Sequence, residues 1–145
     1  MAKETAIQLS INARDRKNGK NAKTVLPVPS EAQEQTALFQ WASLQACKYP
    51  ELDMLYHIPN GGSRNKIEAA RLKGEGVKAG VPDLCLPVPR GGKHGLYIEL
   101  KRIREGRTSK EQEKWLNALQ EQGYEAIVCK GWEAAARKIL EYLRG

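Results

Sequence analysis

The chain has 145 residues, 41% of them hydrophobic, which is enough for one core and too few for two ordinary domains. Its 24 basic residues exceed its 17 acidic ones, and the resulting charge of +7 favours a polyanionic partner such as nucleic acid. With no run of about 18 apolar residues and no signal-peptide core at its start, the chain is expected to be soluble and cytoplasmic, without a membrane partner.

Residues 1–30 carry Lys3, Arg14, Arg16, Lys17, Lys20 and Lys23 against Glu4 and Asp15, and no sustained hydrophobic period. They read as a basic flexible arm with at most a short strand at Ala6 to Ile11, closed off by Pro27 and Pro29. The folded domain is then expected over 31–145. Ser30 with Gln33 forms a capping box, and Ala37, Leu38, Trp41 and Leu44 recur at helical spacing, predicting a helix over 31–47. Met54 to Ile58 reads as a buried strand, stopped by Pro59-Asn60-Gly61-Gly62. A second helix is expected from near Ser63 to Gly74, with Ile67, Ala70 and Leu72 on one face. Leu84 to Val88 and Leu96 to Lys101 suggest a hairpin around Arg90-Gly91-Gly92. Ser109 with Gln112 caps a helix ended by Gly123, Ala126 to Cys129 reads as a strand, and Trp132 to Leu143 as a last helix. The order αβαββαβα predicts an α/β layer sandwich, a central mixed sheet flanked by helices. Trp41, Tyr56, Trp115 and Trp132 are expected in the core. Cys47, Cys85 and Cys129 are expected as buried, reduced thiols, since they are odd in number and widely spaced; His57 is expected buried in its strand and His94 in the hairpin loop.

Alternation along Leu96 to Lys101 sends Leu96, Ile98 and Leu100 to one face and Tyr97, Glu99 and Lys101 to the other. Packing Leu84, Leu86 and Val88 into the same core puts Asp83 and Cys85 on the charged face. A hairpin centred near Gly92 would set Asp83 opposite Lys101 and Cys85 opposite Glu99. Two carboxylates on rigid strands are hard oxygen ligands suited to Mg²⁺ or Mn²⁺, and a lysine beside them can neutralise charge on a phosphodiester in reaction. By itself the Glu-x-Lys tripeptide is common and reads equally as a solvated strand pair.

The ordered set Gly80-Val81-Pro82-Asp83, Tyr97-Ile98-Glu99-Leu100-Lys101 and Ser109-Lys110-Glu111-Gln112-Glu113-Lys114-Trp115 resembles the virus-type replication-repair nuclease (VRR-NUC) family. The likeness runs from about Glu31 to the C-terminus, includes Asn60-Gly61-Gly62 and Gly123-Tyr124, and resembles the short stand-alone phage or prophage type. It implies a PD-(D/E)XK (restriction-endonuclease-like) fold and divalent-metal DNA cleavage, with no small-molecule cofactor. It further implies that Asp83, Glu99 and the Leu100 carbonyl are metal ligands, that Lys101 is the catalytic lysine, and that Gln112 reaches the site. Gln112 is also an ordinary partner of Ser109 in a capping box, and one residue can serve both ends. The family's first helix contributes a carboxylate as well. Glu34 shares the stripe of Leu38 and Trp41 and is preferred, whereas Glu31 in the first turn is explained by the helix dipole alone.

Asn60, Lys66, Arg71, Lys73 and Lys78 on one side, and Arg102, Arg104, Arg107 and Lys110 on the other, are candidate DNA contacts, with Arg90 and Lys93 grouped among the flanking charges. Each alone also reads as a solvated surface charge. The small size of the chain leaves no room for a sequence-reading domain and argues for recognition of DNA shape. The reading is therefore a homodimeric endonuclease for branched DNA, above all four-way junctions, in phage replication or repair within a bacterial host. The alternatives are a non-catalytic basic binding module, which would hold DNA without metal, and a monomeric flap- or end-specific nuclease.

Overall fold

A computed structural model describes residues 25–60 and 65–145. Residues 1–24 of the expected arm, its strand at Ala6 to Ile11, and the helix start near Ser63 lie outside the described residues. The elements, in chain order, are α1 (Glu31–Gln45), a 3₁₀ turn (Pro50–Met54), β1 (Tyr56–His57), α2 (Lys66–Gly74), β2 (Leu84–Leu86), β3 (Leu96–Lys101), α3 (Lys110–Glu121), β4 (Glu125–Lys130) and α4 (Trp132–Arg144). The order αβαββαβα holds, with one 3₁₀ turn added. Pro50 opens that turn, and the strand expected from Met54 shrinks to two residues because Pro50 to Met54 are already committed to it.

The four strands form a sheet in the order β1-β2-β3-β4, antiparallel except for the parallel pair β3–β4. One face of the sheet presents Leu84, Leu86, Leu96, Ile98 and Leu100 to Leu38 and Ala42 of α1 and to Ala135, Ala136 and Ile139 of α4. On the other face, Leu116 and Leu119 of α3 close over Ala126, with Tyr97, Trp115 and Tyr124 at the margin. The result is three layers, helices over both faces of a mixed sheet, as the PD-(D/E)XK expectation required. Among the described residues no helix is long and apolar enough to cross a membrane.

Both capping boxes form. Ser30 Oγ accepts from Gln33 N and Ser109 Oγ from Gln112 N, each at 3.2 Å, and each glutamine side chain accepts from the cap backbone in return. The stripe buried on α1 is Glu34, Leu38 and Ala42; Trp41 packs partly against the core, while Leu44, expected on the buried side, is exposed. Tyr56, His57 and Cys47 are exposed too, against expectation. β1 is a two-residue edge strand with neither residue under a helix, and Cys47 lies just past the end of α1. Cys85 and Cys129 are buried as free thiols.

The hairpin register is two residues away from the expected one. Leu84 pairs with Ile98 and Cys85 with Tyr97, so Asp83 falls opposite Glu99. The tight turn at Arg90–Lys93, with Gly91 and Gly92 both at positive φ, is where the sequence suggested. The turn, however, is centred between Gly91 and Gly92 and not on Gly92, and residues 87–89 oppose only residues 94 and 95, with Val88 N bonding back to Leu86 O; each offset moves the pairing by one residue. A shift of two keeps every side chain on its face, so the charged face is preserved.

Candidate active site

β2 and β3 run antiparallel, so Asp83 at the start of one and Glu99 and Lys101 at the end of the other meet at the same end of the sheet. Glu99 is 1% exposed and Lys101 6% exposed, which is unusual for charges that are not partnered. They are partnered here: Lys101 Nζ lies 2.8 Å from Glu99 Oε1, and Gln112 Nε2 donates to the same oxygen at 2.6 Å. Gln112 thus does both things expected of it, since its Oε1 accepts from Ser109 N at 2.8 Å while its amide nitrogen reaches Glu99. Asp83 Oδ2 accepts from Leu100 N at 2.8 Å.

Two acceptors remain pointed into this cluster. Glu99 Oε2 is buried without a hydrogen-bond partner among the described residues. The second is the Leu100 carbonyl. A strand residue directs its N–H and C=O to the same side, and Leu100 N–H faces Asp83. Two steps on from Leu84–Ile98, the residue opposite Leu100 is Pro82, which has no N–H to give that carbonyl. A buried carboxylate oxygen, an aspartate and an undonated carbonyl are oxygen ligands of the kind a hydrated divalent cation takes. Among the described residues no group of three or more His, Cys, Asp or Glu gathers to hold a metal.

Burial raises the Glu99 carboxyl to about 7, with the Asp83 charge adding to it and the Lys101 hydrogen bond opposing it. Burial also raises Asp83, opposed by Leu100 N–H and by Lys101. A raised carboxylate favours the folded state below its unfolded pKa and loses that contribution as pH rises through about 7, here on the order of 3 kcal/mol. Without metal, the Tm difference between wild type and Glu99→Gln is therefore expected to move in favour of the variant from pH 5 to pH 8. Added Mn²⁺ is expected to raise the wild-type Tm more at pH 8 than at pH 6. Thermal melts across this range check both, and a difference constant with pH would contradict the burial argument.

The two carboxylates of α1 have different surroundings, and among the described residues Glu34 Oε1 is, like Glu99 Oε2, buried without a hydrogen-bond partner. Glu34 is 2% exposed, as its stripe requires, but its Oε2 accepts from Trp132 N at 2.8 Å, at the start of α4. Gly131, the N-cap there, has no side chain, and a Cβ would come within 2.9 Å of Ile103 Cγ1, so Glu34 caps α4 from another helix. Glu31 is the one that looks toward the charged face, its Oε1 3.9 Å from Lys101 Nζ. The inward stripe identified a buried glutamate correctly; what it is buried against was not in the period.

Lys66, Arg71 and Lys73 lie exposed on α2, Lys78 follows in the next loop, Arg104 and Arg107 lie exposed between β3 and α3, and Lys110 is exposed as the first residue of α3. Arg102 is half-buried with its Nε unpartnered, and Arg71 pairs with Glu75 at 2.7 Å. Arg90 and Lys93 are corrected. The turn that carries them is at the opposite end of the sheet, and Arg90 bonds Glu51 and the Leu143 carbonyl, tying the 3₁₀ turn to α4. Asn60 donates to the Val81 carbonyl at 3.1 Å. His57, which the sequence consigned to the core, is exposed with Nδ1 2.8 Å from the Asp83 carbonyl. Nothing periodic marked it, because its position depends on the pairing of β1 with β2.

The VRR-NUC domain model matches residues 4–133, reaching back into the stretch read as an arm. A solved structure described as a VRR_NUC domain protein superposes with a TM-score of 0.71 at 34% sequence identity, covering 82% of this chain and 92% of the other. No curated protein matches. The extent of both matches, together with the mixed sheet and its paired carboxylates and lysine, shows that the chain belongs to the VRR-NUC family of PD-(D/E)XK-type nucleases.

Proposed function

We propose that this nuclease is a divalent-metal-dependent DNA endonuclease that cuts branched DNA, four-way junctions above all, as a homodimer. The observation that carries the metal assignment is Glu99 Oε2, buried without a partner beside Asp83 and the Leu100 carbonyl. These three hold Mg²⁺ or Mn²⁺ in this reading, and the cation supplies Lewis-acid polarisation of the phosphodiester. Lys101, fixed by Glu99, offers its ammonium to the charge that builds on the phosphate in reaction. Gln112 holds Glu99 in place, and Glu31 rather than Glu34 is the helix carboxylate of the site.

The basic side chains of α2 and its following loop, Lys66, Arg71, Lys73 and Lys78, and those of Arg102, Arg104, Arg107 and Lys110, take the phosphates of DNA. α2 buries none of its nine residues, and a helix that short gains little from its own hydrogen bonds, so bound DNA or a second copy would steady it. A two-fold dimer supports the junction reading because it presents two matched sites to a symmetric substrate. Incubation of labelled four-way, flapped and linear DNA with Mg²⁺, Mn²⁺ or EDTA, alongside light scattering, tests the proposal. The expected result is a dimer that cuts the four-way junction fastest and only with metal. Cleavage in EDTA would overturn the metal assignment; a monomer that cuts all three substrates equally would overturn the junction reading.

A further inference from the structure

Asp83 stands one residue outside β2, so the β2–β3 ladder leaves the segment that delivers it, Ala79 to Asp83, without support of its own. That segment is nevertheless held at every second carbonyl by a different part of the chain. Trp115 Nε1 of α3 donates to Ala79 O at 3.0 Å, and Asn60 Nδ2 to Val81 O at 3.1 Å. The Asp83 carbonyl receives Ile58 N at 2.7 Å and lies 2.8 Å from His57 Nδ1. A carbonyl can only accept, so this contact puts the ring proton on Nδ1. Gly80, at φ +85, lies so close to the first turn of α3 that a Cβ would sit 2.6 Å from the Glu111 backbone. That is the turn whose Gln112 grips Glu99, so the carriers of Asp83 and of Glu99 are locked together.

We propose that His57, Asn60 and Trp115 are positioning residues for Asp83, setting the metal site through three backbone carbonyls without touching cation or substrate. This rests on the metal reading above and gives Asn60 a role other than DNA contact. Its amide is already spent on Val81, in a half-buried position. A ligand placed by a loop is only as well placed as the groups that fix that loop, and loss of such outer groups weakens metal binding.

Four variants, Asn60→Asp, His57→Ala, His57→Asn and Trp115→Phe, are to be compared with wild type and Asp83→Ala. The measurements are calorimetric Mn²⁺ titration, thermal melting, DNA binding in EDTA, and steady-state cleavage kinetics with Mn²⁺. Asn60→Asp keeps the size of the side chain but turns an oxygen toward the Val81 carbonyl. It, His57→Ala and Trp115→Phe are expected to weaken Mn²⁺ binding roughly ten-fold and to lower kcat at unchanged KM, with DNA binding in EDTA unaltered. His57→Asn is expected to recover most of the loss, since its amide can place an N–H where Nδ1 stood. Wild-type Mn²⁺ isotherms in folded variants would overturn the proposal, as would an Asn60→Asp protein that loses DNA binding instead. Should Asn60→Asp fail to fold, the contrast between His57→Ala and His57→Asn decides. Asp83→Ala separates the two layers: Mn²⁺ binding at wild-type strength there would remove the metal reading itself, whereas its loss with unaltered outer variants would remove only this inference.

Discussion

Replacing Asp83, Glu99 or Lys101 by alanine is expected to cut DNA cleavage by roughly a thousand-fold or more, and combining the changes to cost little beyond any one of them. The three side chains share partners: Lys101 leans on Glu99, Glu99 is gripped by Gln112, and Asp83 is fixed by the backbone of Leu100 between them. Losing one carboxylate removes a ligand. Losing Lys101 leaves the buried Glu99 charge without its nearest counter-charge and the reacting phosphate without its ammonium. DNA binding is expected to survive, because Lys66, Arg71, Lys73, Lys78, Arg104 and Arg107 are exposed and none of them is a hydrogen-bond or ion-pair partner of Asp83, Glu99 or Lys101. Rates on a four-way junction and gel-shift affinities in Ca²⁺ or EDTA measure both. An Asp83→Ala protein that cuts at the wild-type rate would overturn the site.

The second large effect separates the two glutamates of α1. Glu34→Ala is expected to lower the Tm by on the order of 5–10 °C, since it removes the carboxylate that accepts from Trp132 N at the part-buried start of α4, a cost of about 2–3 kcal/mol. Glu34→Gln keeps an acceptor and is expected to lose much less. Glu31→Gln is expected to leave the Tm unchanged and to lower cleavage roughly ten-fold, because it removes a charge facing Lys101 from an exposed side chain with no cap to lose. Melting curves and single-turnover rates distinguish the two. If Glu34→Gln lost activity at full stability while Glu31→Gln did not, the two roles would be exchanged.

The sequence by itself determined the order of elements, both capping boxes, the turn at Gly91-Gly92 and the charged face of β3. Each of these depends on residues within a few positions of one another, where alternation, helical period and glycine's tolerance of positive φ act directly. It also brought Asp83, Glu99 and Lys101 to one face, because a strand's two-residue period survives a register error of two. Tertiary structure alone decided the rest. The pairing of Asp83 with Glu99 was set by the centring of the turn and by an extra residue in the loop between β2 and the turn, and the contact of Glu34 was set by the start of α4, 98 residues away. The clamp on Ala79, Val81 and Asp83 comes from β1, the loop after it and α3. Periodicity tells which side of an element turns inward; what waits there depends on contacts between residues far apart in the chain, and those exist only once the layers have packed.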